Sequence, residues 1–268
     1  MSLEIKNTSD IITADNFRWK VLIYSLPGCG KTLWASGATN PGIAACETGS
    51  GKGLLTIADR GLPFVEPATV ADFEAFCSGQ IFKDKDTLIV DSLSDMVKTF
   101  VKDYALTIPR SRGESPKRRA GVPELDDYGV MGEVTRRLLR KLLNLDKHIV
   151  VTATMRIDKP DAEAGGEIII GPDLPGQMFL GSTAMFDTVM ALRTRPMLRD
   201  PKDAKSRYTE RYLISQPEGA LIAKCRSNVA GQPLLAREEV FDPATGRGTW
   251  PDLYGKILKG YSQAEKKS

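Results

Sequence analysis

The chain has 268 residues, 41% of them hydrophobic, with 37 Lys and Arg against 34 Asp and Glu, a formal charge of +3. That is enough to bury one large core. It is too nearly neutral to mark the whole surface as a nucleic-acid binder, so any basic site has to be local. Four scattered cysteines, Cys29, Cys46, Cys77 and Cys225, form no C-x-x-C pair, which argues against a zinc knuckle or a disulfide framework and for a reducing cytoplasm. No signal-like start and no apolar run near the roughly 18 residues of a membrane helix are present, so a soluble protein with no membrane partner is expected.

Residues 1–18 are mixed and polar, an arm or a short edge strand. The apolar run Val21-Leu22-Ile23-Tyr24 then leads into Ser25-Leu26-Pro27-Gly28-Cys29-Gly30-Lys31-Thr32. A strand, a glycine-rich turn and a Lys-Thr pair opening a helix form a phosphate-binding loop, with Pro27 through Thr32 around a polyphosphate. Gly28 and Gly30 permit positive φ and close backbone approach. Lys31 is expected to reach the β- and γ-phosphates, and Thr32 to ligate Mg²⁺. The usual first glycine is replaced by Ser25, at a position that ends the strand and does not build the phosphate-facing nest.

A helix from Lys31 to about Gly37 and an Asn40-Pro41-Gly42 turn precede Ile43-Ala44-Ala45-Cys46-Glu47, a buried strand ending in a carboxylate. A strand is expected at Pro63–Val65, and a helix capped by Thr69 runs to Cys77. Thr87-Leu88-Ile89-Val90-Asp91-Ser92 reads as a central parallel strand whose tip, Asp91, holds the metal-bound water of a nucleotide site. Ser92 to about Leu106 looks helical. Residues 108–123 carry Arg110, Arg112, Lys117, Arg118 and Arg119 among Pro, Gly and Ser, which is either a loop contacting a nucleic-acid backbone or a solvated surface loop.

Asp126 or Asp127 is expected to cap a long amphipathic helix to about Leu145. His148 through Thr154 is the next buried strand, with Thr152 and Thr154 as polar sensors of the γ-phosphate and His148, the single histidine, structural at the far end. A long excursion at 155–178, with a short strand at Glu167–Ile170, is followed by strands at Phe186–Leu192, Tyr208–Ser215 and Leu221–Arg226. A short helix at Asp252–Leu258 and a frayed tail at 261–268 complete the chain. Hydrolysis needs a group that orients water; many P-loop ATPases place a glutamate directly after the strand aspartate, where this chain has Ser92, so Glu47 is the available base.

A phosphate loop on the first core strand, a glutamate ending the second, Asp-Ser ending the third and threonines on the fourth resemble the RecA-like ATPase core. More narrowly, residues 22–32, Cys46-Glu47-Thr48-Gly49 and Leu88-Ile89-Val90-Asp91-Ser92 resemble phage nucleotide-binding proteins that include the Sak-group single-strand annealing proteins. The resemblance implies a mostly parallel central sheet flanked by helices with C-terminal β additions, in a RecA-like ATPase domain over 19–260. It also implies ATP and Mg²⁺ as ligands, a ring or filament of identical subunits, single-stranded DNA and a phage single-strand binding protein as partners, and action in recombination or replication in a bacterial host. By the same resemblance Lys224 and Arg226, in Ala223-Lys224-Cys225-Arg226, match a trans finger reaching the ATP of an adjacent subunit. Residues two apart on a strand share a face, so both cations can meet one phosphate group. The competing expectation is a nucleotide-gated scaffold with slow or no hydrolysis and no DNA role. A small-molecule kinase would share the phosphate loop, but no acceptor-site signature accompanies it.

Overall fold

In a computed structural model, residues 16–47, 52–109, 121–158, 168–176 and 178–265 are described. The five basic residues at 110–119 lie outside them, as does the acidic stretch 159–167. The first strand, β1 (Lys20–Ser25), is buried along all but its first residue. Leu22 and Tyr24 point into one core cluster, and Val21 and Ile23 into the other. A strand covered on both faces by helices reads as a continuous apolar run, which is why this segment and the next ones lack polar alternation.

Beside β1 lies β5 (His148–Asp158), then β4 (Thr87–Asp91), β2 (Pro41–Ala45) and the short β3 (Phe64–Val65), all parallel. On its other side β1 pairs in parallel with β7 (Thr188–Leu198). The sheet then turns antiparallel through β8 (Arg207–Ile214) and β12 (Glu238–Phe241). Two strands lie off this path: β6 (Ile169–Pro172) forms a hairpin with β5, and β9 (Lys224–Cys225) pairs with β7. A small separate hairpin joins β10 (Asn228–Val229) and β11 (Gln232–Pro233). The mostly parallel α/β core with C-terminal β additions is the fold expected from the RecA-like resemblance.

One face is covered by α2 (Val70–Cys77), by α3 (Leu93–Met96), a π-turn (Val97–Val101) and α4 (Lys102–Thr107) in succession, and by α5 (Leu125–Leu143). The other holds α1 (Lys31–Ala35), a 3₁₀ helix (Lys52–Arg60) and α7 (Trp250–Glu265), and α6 (Met178–Met185) packs against α5. Local chemistry fixes several helix starts. The Thr69 hydroxyl accepts from the Asp72 N–H at 3.1 Å while the Asp72 carboxylate accepts from the Thr69 N–H at 2.9 Å, a capping box contributing about 1 kcal/mol. For α5 the cap is Glu124, ahead of the Asp126 or Asp127 expected there; the Asp127 carboxylate accepts from the Glu124 N–H at 2.9 Å as the other half of a box.

Several elements differ from the sequence expectation, among them β5, which runs on to Asp158, and β6, which spans Ile169–Pro172. The strand that follows Phe186 continues to Leu198, because β8 supplies an antiparallel partner along its whole second half. Only Lys224–Cys225 of the expected Leu221–Arg226 strand is paired with the sheet. The C-terminal helix starts at Trp250 and runs to Glu265, with Tyr261 buried against the core, so residues 261–265, expected to fray, are helical.

Candidate nucleotide site

The phosphate loop leaves β1 at Ser25, which is fully buried and still part of the strand. Gly28 and Gly30 take φ of +78° and +105°, the left-handed conformations that a Cβ disfavours. Lys31 opens α1, and its ammonium lies 3.3 Å from the Ser25 hydroxyl and 3.4 Å from the Ser25 carbonyl. Burial lowers the Lys31 pKa, while Asp91, Cys29, Glu47 and Asp95 oppose that shift. An ammonium so surrounded by acidic groups is held where an incoming polyphosphate can take their place.

Asp91 ends β4 and is buried. Both its oxygens are engaged: Oδ2 accepts from the Thr32 hydroxyl at 2.7 Å and Oδ1 accepts a short bond from the Thr152 hydroxyl. Thr152 is therefore the residue that orients Asp91. Thr154, the other threonine expected as a sensor, pairs with Ser25 in the β1–β5 ladder and lines the cleft. The Thr154 N–H donates to the Ser94 hydroxyl at 3.1 Å, its carbonyl accepts from Asp173 at 2.8 Å, and Lys98 forms a short ion pair with Asp173. A connected path thus runs from the cleft to the base of the β5–β6 hairpin.

Glu47 follows β2 and is exposed at the cleft rim. Partial desolvation raises its carboxyl pKa, Asp91 and Asp95 add to the rise, and Lys31 offsets part of it. Its position depends on a glycine from the 3₁₀ helix: a Cβ on Gly53 would lie 2.1 Å from Glu47 Oε2. The Asp91–Ser92 peptide is cis, and Ser92 caps α3 through the Asp95 N–H at 3.2 Å.

These groups share one cleft of about 480 Å³, lined by Pro27, Gly28, Gly30, Lys31, Thr32, Glu47, Asp91 and Thr154 from the expected set. Cys29 is buried within the loop itself. Five further lining residues escaped sequence reasoning: Leu33, Gly53, Thr56, Asp95 and Arg211. Asp95 was within reach of it, being four residues beyond Asp91 on the helix that Asp91 introduces. Arg211 was not, because it arrives from β8, two strands away from the loop.

Lys224 and Arg226 stand apart from this cleft. In the β7–β9 ladder Val189 pairs with Lys224, and Val189 itself pairs with Leu22, near the start of β1, whereas the loop follows its end. Both cations donate to the Ala184 carbonyl, at 3.0 and 2.8 Å, so they do share a face. Burial and then Arg226 lower the Lys224 pKa to about 8. His148 also lies at the far end, where its Nδ1 accepts from the Trp19 N–H at 3.0 Å and its ring packs against Trp250 and Tyr254.

A family model described as AAA domain matches residues 18–227. No curated protein sequence matches the chain. Similar solved structures include the flagellar accessory protein FlaH from Methanocaldococcus jannaschii, with 13% identity over 85% of this chain and 88% of that one and a TM-score of 0.42. A KaiC-like protein from Pyrococcus horikoshii aligns at 12% identity, 83% and 84% coverage and a TM-score of 0.41. A DnaB-like replicative helicase, solved with regard to its interactions with primase, aligns at 13% identity over 78% of this chain and 52% of that one, with a TM-score of 0.41. Similarities this distant do not carry a function from one chain to the other. Among the described residues no helix is long and apolar enough to cross a membrane.

Proposed function

From the premise that this chain belongs to the AAA domain family and is a nucleotide-binding ATPase, we propose that it acts as a RecA-like motor on single-stranded DNA. The setting we propose is phage recombination, by annealing or strand pairing, or replication, in the cytoplasm of a bacterial host. The observation that carries the catalytic part is the convergence of Lys31, Thr32, Asp91 and Glu47 on one cleft.

Thr32 and Asp91 fit Mg²⁺: a hydroxyl and a carboxylate, both hard oxygen donors, meet at 2.7 Å beside the lysine. When bound, that cation supplies charge neutralisation for the polyphosphate. Lys31 donates to the β- and γ-phosphoryl oxygens. Glu47 orients a water and accepts its proton as the water oxygen bonds to the γ-phosphorus and the bond to the bridging β–γ oxygen breaks, releasing ADP and phosphate. Its raised pKa makes it a stronger base than an ordinary surface carboxylate. Thr154 contacts the γ-phosphate and, through Asp173 and Lys98, reports its loss toward the β5–β6 hairpin.

Lys224 and Arg226 serve a second subunit's nucleotide, because in their own chain they lie beside the first residues of β1 and away from its loop. A ring or filament of identical subunits follows. DNA is held by Arg110, Arg112, Lys117, Arg118 and Arg119, whose dense charge suits a phosphate backbone, with a phage single-strand binding protein as a further partner. Four free cysteines agree with a reducing compartment. Two substitutions test this reading. Glu47→Gln lowers ATP turnover by 100-fold or more with nucleotide still bound; unchanged turnover overturns its assignment as base. Mixing Lys31→Ala subunits with Arg226→Ala subunits restores part of the activity that each lacks alone, and no recovery at any ratio contradicts the trans arrangement.

A further inference from the structure

Arg211 lies on β8 and lines the nucleotide cleft. Its Nε donates to the Cys29 carbonyl at 3.1 Å, so its stem is tethered to the phosphate loop itself. An ideal Cβ on Gly30 would lie 3.4 Å from that Nε and 3.7 Å from Cδ, which puts the side chain in contact range of the loop's second positive-φ glycine. Its neighbour on the sheet, Arg195, is neutralised by Glu210 at 2.6 Å and Glu238 at 2.8 Å. Among the described residues no carboxylate pairs with Arg211, and its terminal guanidinium nitrogens donate no hydrogen bond.

The side of the loop from which it comes identifies what it meets. Thr154, Asp91 and Glu47 arrive from β5, β4 and β2, which succeed one another on one flank of β1. These groups define the γ-phosphate end of the site. Arg211 arrives over β7 and β8 on the opposite flank. A polyphosphate laid along the loop with its terminal group toward Glu47 brings its nucleoside end toward Arg211. A planar guanidinium held at Nε presents its two terminal nitrogens as a fork, the geometry that matches phosphate oxygens.

We propose that Arg211 is a nucleotide-binding residue of the same subunit, contacting the α-phosphate at the nucleoside end and acting on affinity, not on the chemical step. The proposal rests on the reading of this cleft as the ATP site. Its test is equilibrium binding of fluorescent ADP and ATP analogues, with steady-state kinetics, for the wild type, Arg211→Ala, Arg211→Gln and Lys31→Ala. Gln can keep a donor for the Cys29 carbonyl and loses the charge, and melting curves report folding of each variant.

The expected result is a loss of about tenfold or more in affinity for both nucleotides, by the same factor, in Arg211→Ala and Arg211→Gln, as for removal of one charge-assisted contact. KM for ATP rises by that factor, and kcat at saturating ATP changes less than threefold. Unchanged ADP affinity in a folded Arg211→Gln overturns the proposal. So does a fall in kcat at constant KM, which would make Arg211 a γ-phosphate finger. Failure of the wild type to bind ADP overturns the ATP-site reading along with it, whereas binding that is lost in Lys31→Ala and kept in both Arg211 variants overturns this proposal alone.

Discussion

At the scale of single residues, the site is built from side chains holding other side chains. Thr152 is fully buried and donates to Asp91, whose other oxygen is taken by Thr32. Removing the hydroxyl leaves a buried carboxylate oxygen unpartnered, which typically costs 1–3 kcal/mol. Thr152→Val is expected to lower kcat/KM for ATP by about tenfold or more, and wild-type kinetics in that variant would show that Asp91 needs no such support. Ser25 illustrates a tolerated departure: it stays in the strand, so the positive φ needed at Gly28 and Gly30 is not needed there. His148 has a different consequence. Burial, then Arg18 and Lys20, lower its pKa to about 4, against opposing pulls from Asp86 and Asp146. Its ordinary value is about 6.5, so the unfolded chain binds the proton first and the folded state loses stability as pH falls from about 6.5 to 4. In His148→Asn, whose side-chain oxygen can still accept from the Trp19 N–H, the acid-induced drop in melting temperature over that range is expected to be shallower; an equal drop would assign it to other groups.

At the scale of elements, the parallel core was legible and its extensions were not. Val21–Tyr24, Thr87–Asp91 and His148–Thr154 read as buried strands because apolar residues run without alternation and end in polar tips, and the ladders place those tips together. The capping box at Thr69 was half visible, since a cap residue announces itself locally whereas the exact start of α5 depended on which of three nearby acids faced the N–H groups. Nothing local announced that β7 and β8 would pair from Ala191 with Ile214 to Leu198 with Arg207, because the connection at 199–206 has no tight-turn dipeptide to set the register. Arg211 was unreadable for the same reason. The three tryptophans are a further example. Trp19, Trp34 and Trp250 come from three remote segments and meet behind the loop helix, with Trp19 and Trp250 centroids 4.7 Å apart and Trp34 bonded to the Gly248 carbonyl at 2.8 Å. This cluster anchors α7 to β1 and α1. Trp250→Ala is expected to destabilise the protein by about 3–5 kcal/mol, read by denaturant unfolding. A loss below 1 kcal/mol would mean that α7 is held by other contacts.

At the scale of the whole molecule, charge is distributed to two ends of one sheet. The phosphate loop and its carboxylates occupy the C-terminal ends of the parallel strands, while Lys224 and Arg226 sit near the N-terminal ends. The head-to-tail arrangement proposed above sets these two ends of neighbouring subunits against each other. The path from Thr154 through Asp173 to Lys98 connects the cleft to the base of the β5–β6 hairpin. The most direct test of the account is steady-state ATP hydrolysis with and without single-stranded DNA at low salt, with Lys31→Ala as the blank. The account predicts turnover that DNA raises several-fold, that rising salt suppresses as DNA is released, and that Lys31→Ala lacks. Turnover indifferent to DNA, together with no retention of the protein on single-stranded DNA at low salt, would contradict it.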